Sequence, residues 1–404
     1  MTHRNIIWLA AFWQFIYMVD FVMPLPLGPA LSRELGFAAP NVAWLSVSYT
    51  LASLLSGLGA SLIVDRLGKK RVILGGLTCF VLANMATAFV NDLMGLLCCR
   101  ALAAIAGAPV VATMMAEVID RAPSDQRGRA ISAAMSGASL AVILGVPMAL
   151  GVANLAGWRA AFVLMSILSC TLLILVWRMK MGVHAVGDTS GLAAWRQLWA
   201  LPGVRRAFLL QGLSQFSTFL IIPVLATFLV TNLRVSPGLI PWVYASGGLA
   251  AFACMRLSGM GADRLGYRTP FMLACFALIA AMLLFAWGVP SDHPLLAATV
   301  FTLFMAANAA KNVALASHTA GAPPPGMRAV FMNAQGSMQD VAILVGSMGS
   351  LVLLSQSSPE APMEGMWSLM SLAVIAVLAL IIVDVQGRRR AMACTRARDL
   401  DPLA

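Results

Sequence analysis

The sequence predicts an all-α membrane protein: twelve transmembrane helices in two pseudo-symmetric six-helix bundles. Three observations predict it. Hydrophobic residues make up 60% of the 404-residue chain and charged residues only 11%, with a mean hydropathy of +0.86. Soluble domains carry about 25% charged residues because water demands a polar surface, and lipid lifts that demand. Twelve apolar stretches each provide the roughly 20 residues that cross a hydrocarbon core of about 30 Å. Loop landmarks then recur at offsets of 198 and 199 residues, the mark of a duplicated unit.

Taken in order, the first six stretches are 5–28, 40–63, 72–90, 93–119, 130–154 and 160–177. The second six are 207–231, 237–257, 269–288, 294–315, 329–354 and 366–384. The first is an uncleaved helix rather than a signal peptide, because the run after Arg4 outlasts a signal core and carries Asp20. Residues 1–178 form the first bundle and 207–387 the second. Between them, 179–206 is a cytoplasmic linker, and 388–404 is a basic cytoplasmic tail. Inside the linker, LAAWRQLWAL (192–201) reads either as an interfacial helix with Trp195 and Trp199 at headgroup level, or as a plain connector.

The formal charge of +11 does not mark a nucleic-acid binder, because the basic residues are spread over short loops. On alternate loops and the two termini fall 21 of the 27 Lys and Arg residues, whereas the opposite loops hold only Arg33, Arg159 and Arg234. Basic loops stay inside, so both termini are expected in the cytoplasm of a multi-pass plasma (inner) membrane protein. The seven cysteines are read as reduced apolar fillers, and no His, Cys or carboxylate spacing suits a metal. No His-Glu-x-x-His, nucleophile elbow or Gly-rich phosphate loop is present, which excludes the common hydrolases and ATP-driven pumps. The expected partners are therefore lipid and a small molecule, with no cofactor, no nucleic acid and a monomeric chain.

Asp65-Arg66-Leu67-Gly68 follows the second stretch, and Asp263-Arg264-Leu265-Gly266 follows the eighth, 198 residues later. Arg129-Ala130 opens the fifth, and Arg328-Ala329 opens the eleventh, 199 residues later. The segments SLIVDRLGKKR (61–71) and GMGADRLGYR (259–268) resemble the conserved loop motif of the major facilitator superfamily. Ser61 stands where the family has Gly, while the second copy keeps Gly259. The resemblance implies a conformational latch of Asp65, Arg66, Gly68, Lys69, Arg129, Asp263, Arg264 and Gly266. In it Asp65 meets a helix N-terminus, where a carboxylate is stabilised by about 0.3–1 kcal/mol. Alternatively, Arg66, Lys69, Lys70 and Arg71 serve topology alone.

Further on, GVPMALGVANLAGWRAAF (145–162) resembles the span-five motif of the family's twelve-helix antiporters, with Val146 interrupting the usual Gly-Pro pair. Gly137, Gly145, Pro147 and Gly151 are expected to thin one helix face for packing between the halves, and Pro147 to kink it. FIYMVDFVMPLPLGPALSREL (15–35) resembles the first span of the drug and sugar efflux branch.

Ionisable groups inside a membrane cost about 2.5–3.5 kcal/mol and are functional by default. Asp20 and Arg100 each lie roughly 12 Å below the outer surface by helical rise, so they are expected to pair. Such a pair is either a proton-coupling device that opens as the halves rock, or a static lock between spans one and four. Around Arg100, RALAAIAGA resembles the family's span-four motif, with Ala104 replacing its Gly. Asp340 is a second proton-coupling candidate, a contact for a cationic substrate, or a hydrogen-bond partner of Gln339. Gln14, Tyr17, Gln211, Gln215, Asn308 and Lys311 are candidate substrate-binding residues, with snorkelling as the other reading of Lys311. Together the resemblances imply a proton-coupled antiporter exporting a small amphipathic drug, sugar or metabolite, powered by the proton gradient. Uptake symport and a non-transporting sensor or scaffold are the alternatives.

Overall fold

The computed structural model describes residues 3–123, 126–178, 191–291, 293–324, 327–356 and 361–400. The first half comprises α1 (His3–Val22), α2 (Gly28–Leu35), α3 (Ala43–Leu67), α4 (Lys69–Thr87), α5 (Leu93–Arg121), α6 (Arg127–Leu140), α7 (Val146–Ala156) and α8 (Trp158–Trp177). A connecting helix, α9 (Gly191–Ala200), leads to the second half. That half holds α10 (Pro202–Phe219), α11 (Ile222–Thr231), α12 (Ile240–Leu265), α13 (Arg268–Leu283), α14 (Pro294–Thr319), α15 (Arg328–Leu353) and α16 (Met366–Leu400). Among the described residues ten helices, some counted with their short continuations, are long and apolar enough to cross a membrane. The 25-residue α3 and the 19-residue α4 pack beside α5 within the first bundle.

The duplication is visible in the packing. In the first half α3 and α4 lie on α5, α1 on α6, and α4 on α8; in the second half α12 and α13 lie on α14, α10 on α15, and α13 on α16. Each pair has its counterpart at the repeat offset. The halves meet where α3 lies along α15 and where α7 crosses α12.

Several helices depart from the predicted stretches, and proline explains most of the departures. The stretch 5–28 is not one helix: α1 stops at Val22 and the chain resumes as α2, because Pro24 and Pro26 cannot donate to the helical ladder. The stretch 207–231 breaks likewise between α10 and α11, next to Pro223. A π-helical turn, Ala141–Gly145, precedes Pro147 in the fifth span. The helix predicted over 366–384 continues to Leu400, so the expected tail is helical over most of its length. The segment 192–201 is helical through Ala200 as α9, with Trp199 exposed and its ring 5.4 Å from Phe208; the Trp195 side chain lies outside the described residues.

Burial follows the lipid rather than the water pattern. Leu155, Leu295 and Val352 are among many large apolar side chains on the outer surface. Exposed tryptophans gather near helix ends: Trp8, Trp177 and Trp199 at the end carrying the basic loops, and Trp44, Trp242, Trp287 and Trp367 at the opposite, far end. Indole rings favour headgroup level, so the two girdles mark the membrane boundaries. At the far end one buried apolar core, including Val19, Leu31, Leu225 and Leu229, runs from one half into the other. Toward the basic end the first half has its own core around Ile6, Trp13, Phe80 and Val118. The core shared by both halves thus lies at the far end, while toward the basic end the first half keeps a core of its own.

Candidate functional site

Asp20 and Arg100 sit in the body of the first half, both 0% exposed. Arg100 grips the carboxylate with both terminal nitrogens, Nη1 to Oδ1 at 2.9 Å and Nη2 to Oδ2 at 3.1 Å. Nη1 also donates to the Asp20 carbonyl at 3.2 Å. That carbonyl lacks its helical partner because the residue four places on is Pro24. One guanidinium therefore neutralises a charge and fills a backbone vacancy created by the same short segment. Nη2 adds a 3.4 Å contact to Asn84 Oδ1, and the Tyr49 and Phe162 rings lie 5.5 and 5.1 Å from the guanidinium carbon. Through these contacts Arg100 on α5 touches α1, α3, α4 and α8. Asn84 and Tyr49 were not singled out in the sequence; a polar Asn deep in an apolar stretch was the available signal.

Asp340, on α15, is half-buried and has no hydrogen bond or ion pair among the described residues, so the expected bond to Gln339 is not made. An aromatic cluster spans the two halves. Tyr17 and Tyr49 ring centroids are 5.7 Å apart, Phe21 and Tyr49 5.3 Å, and Phe21 stacks on Phe219 of the other half at 6.0 Å. The Tyr17 hydroxyl pairs with Ser53 Oγ at 3.0 Å. Gly107 makes room for the Tyr17 ring: a Cβ there would come 2.5 Å from it. Gln14, one turn before, is half-buried.

Lys311 does not snorkel. It is 0% exposed, its Nζ donating to the Ser214 carbonyl at 3.2 Å and to Thr218 Oγ1 at 3.1 Å, with no carboxylate within ion-pair distance among the described residues. Thr218 in turn donates to Asn308 Oδ1 at 2.7 Å, and Ser214 to Asn312 at 2.9 Å. Gln211 is buried with an unpartnered Oε1, and Gln215 is half-buried. On the helix that carries Gln211 and Gln215, the polar groups of Ser214 and Thr218 are thus spent on the tenth span.

At the basic end, Lys69 pairs with Asp120 and, at 3.6 Å, with Glu117, which also binds Arg121 at 2.5 Å. At the repeat offset from Lys69 and Asp120, Tyr267 stacks on His318 with centroids 3.9 Å apart. Tyr267 also donates to Asp384, which binds Arg206. Gly68 and Gly266 have φ of +79° and +77°, the turn both motif copies require. Asp263, Arg264 and Arg129 are exposed; the Asp65 and Arg66 side chains lie outside the described residues. Arg256 lies over the Phe252 ring at 5.2 Å rather than in an ion pair. A cavity of about 260 Å³ beside Arg206 and His318 includes none of the predicted substrate residues.

The glycine expectation needs correction. Gly137 and Gly145 do thin their helix, but against α1 of the same half: a Cβ would fall 1.9 Å from the Ala11 carbonyl or 2.1 Å from Val19. Gly151 faces open space. The close approach between halves is made instead by Gly248 of α12 on the backbone of Val142 and Ile143, in the π turn before Pro147.

Known proteins resemble the chain along most of its length. The family model described as "Major Facilitator Superfamily" matches residues 10–347. A probable sugar efflux transporter of Mannheimia succiniciproducens is 24% identical over 299 residues, 72% of each chain. The 3-(3-hydroxy-phenyl)propionate transporter of Escherichia coli is 27% identical over 65% of this chain and 66% of its own. A chloramphenicol resistance protein of Streptomyces lividans is 24% identical over 66% and 68%. Among solved structures, a bacterial homologue of the lysosomal transporter Spinster, inward-facing and occupied, superposes with a TM-score of 0.72 over 96% of this chain and 97% of its own, at 14% identity. The nucleoside transporter NupG gives 0.69 over 95% and 99%, at 15% identity.

Proposed function

The chain belongs to the major facilitator superfamily, and from that premise we propose that it is a proton-coupled secondary active exporter of a small amphipathic molecule. It works by alternating access between twelve spans in two halves, with the basic end in the cytoplasm. The observation that carries the reading is the fully buried Asp20–Arg100 pair in the first half, set against the unpaired, half-exposed Asp340 in the second. An intramembrane carboxylate is either compensated or a site for proton and substrate traffic. Asp20 is compensated in the present state, and a shift of α1 against α5 within the first half during the cycle separates it from Arg100 and lets it load a proton. Asp340 is open in the present state. The core shared by both halves lies at the end away from the basic loops, which supports an inward-open conformation, the state in which an exporter takes up its cargo. The efflux relative and the chloramphenicol resistance relative support export of an uncharged or amphipathic compound.

The test is purified protein in liposomes with an imposed pH gradient and radiolabelled chloramphenicol as the first probe. Gradient-driven flux that a protonophore abolishes is expected. Asp20→Asn, matched for incorporated protein, should lose the gradient dependence. Full gradient-driven activity in that variant removes Asp20 as the proton site.

A further inference from the structure

A cavity of about 260 Å³ in the second half takes no part in the proposed proton and substrate traffic. Gly203, Arg206 and Leu210 of α10 line it together with His318 and Thr319 of α14 and Gly321 just beyond. Its apolar wall includes Ala207, which belongs to a small core with Phe208 and Phe331. The spans that form it begin at Pro202 and end at Thr319. The cavity therefore lies at the membrane boundary on the basic end, the level at which Trp199 is exposed.

The ionisable groups in its lining are Arg206 and His318, with no carboxylate among them. Arg206 is 23% exposed and is held from behind. Its Nη2 donates to the Asp384 carbonyl at 2.6 Å and to Oδ1 at 3.2 Å. Gly387 leaves room for the guanidinium, since a Cβ there would come 2.1 Å from Nε. Nη1 has no partner among the described residues, and Nε is buried without one. The guanidinium thus reaches the cavity with donors to spare, oriented by a carboxylate that does not line it. His318 is fixed by its stack on Tyr267. The end of α14, whose carbonyls disfavour an anion, is closed by the Ala322 amide donating to the Thr319 carbonyl at 3.0 Å. Asp384 neutralises the guanidinium overall, so the site offers directed donors more than net charge. Arg205, exposed one residue before, adds positive potential.

A planar guanidinium edge matches the oxygens of phosphate and carboxylate, and the level of the cavity favours phosphate. Basic loops face the cytoplasmic leaflet, which carries the anionic lipids, and basic pockets between spans on that side take phosphate headgroups. The volume falls below the roughly 300–1,000 Å³ of pockets for drug-sized ligands, which suits a single headgroup or a small phosphate ester.

We propose that this cavity binds a phosphate group through Arg206 and His318, carried by an anionic lipid headgroup or by a small soluble phosphate. The site is separate from the Asp20–Arg100 pair and from Asp340, and its test requires no transport.

Purified full-length protein in detergent micelles is titrated in two arms. One uses radiolabelled inorganic phosphate in equilibrium dialysis at constant ionic strength. The other uses phosphatidylglycerol, with bound lipid counted by native mass spectrometry and phosphatidylcholine as the control. Saturable binding of one probe molecule per chain is expected in at least one arm; the phosphate arm alone identifies a soluble ligand, and the lipid arm alone a headgroup. Arg206→Gln should weaken binding at least about tenfold, the scale of one charge contact of about 1.4 kcal/mol. Gly203→Leu fills the cavity at a position where an added Cβ meets nothing within 4 Å. It leaves the Arg206–Asp384 pair intact and should abolish binding. Circular dichroism and gel filtration report folding; if Arg206→Gln misfolds by stranding Asp384, Gly203→Leu decides. Saturation in neither arm, or a folded Gly203→Leu that binds as the parent does, overturns the proposal.

Discussion

Arg100 shows how one residue can organise a bundle inside lipid. A buried guanidinium is tolerable only when its charge and most of its donors are met, and here the Asp20 carboxylate, the Asp20 carbonyl and Asn84 meet them. Removing only one side of such a pair strands a buried charge, at a cost of about 3–5 kcal/mol. Asp20→Asn should therefore lower the thermal unfolding temperature of the purified protein in detergent. Asp20→Asn combined with Arg100→Gln should recover much of the loss. A single variant as stable as the parent would show that the pair is not what locks α1 to α5. The same reasoning separates Asp340, whose replacement by Asn leaves no orphaned cation behind and should cost little stability.

At the scale of helices, the recurring device is a proline whose freed carbonyl is met by a side chain from a neighbour. In hydrocarbon no water can fill that role, so each break requires a donor. The Asp20 carbonyl, opposite Pro24, receives Arg100. The Ile105 carbonyl, four residues before Pro109, receives Ser56 Oγ at 2.7 Å. In the break before Pro223 it is the next carbonyl along, that of Leu220, that receives Ser350 Oγ at 2.6 Å, because the Val224 amide turns to Ile221 instead. The first and third breaks lie at nearly the repeat offset, yet one is met by Arg and the other by Ser, so the copies kept the kink and changed its partner. Ser350 is fully buried, and Ser350→Ala should cost about 1–3 kcal/mol by leaving that carbonyl unsatisfied. Unfolding in a denaturing-detergent titration measures it; a neutral result would mean the break closes into regular helix without the hydroxyl.

Across the whole molecule, the far end is the seal. There the Ala39 amide donates to Gln356 Oε1 at 2.7 Å, joining a loop of the first half to a loop of the second. Gly28 lies so near Val42 and Thr227 that a Cβ would come within 2.9 Å of each. Inside the first half, Glu34 holds Trp158 and, at 2.6 Å, Arg159; inside the second, Asn232 and Met363 exchange two 2.9 Å hydrogen bonds. Each half is thus braced separately, and few polar links cross between them, which suits a surface that must open. Joining Ala39→Cys to Gln356→Cys with a bis-maleimide, in a background without native cysteines, should stop transport. Undiminished flux through cross-linked protein would show that the far end need not part.

The sequence by itself determined the membrane class, the duplicated halves, the helix breakers and the set of intramembrane charges. These follow from hydropathy, proline chemistry and loop charge, which act locally along the chain. Even the Asp20–Arg100 contact was legible, because two helices of known rise place them at one depth. What only the tertiary structure decided was which polar residues are used up and which remain open. Lys311 is absorbed by Ser214 and Thr218, Gly137 serves α1 rather than the other half, and Asp340 is left without a polar partner among the described residues. The reason is geometric: a helix fixes the depth of a side chain through its rise, but its azimuth acquires meaning only when neighbouring helices are packed around it.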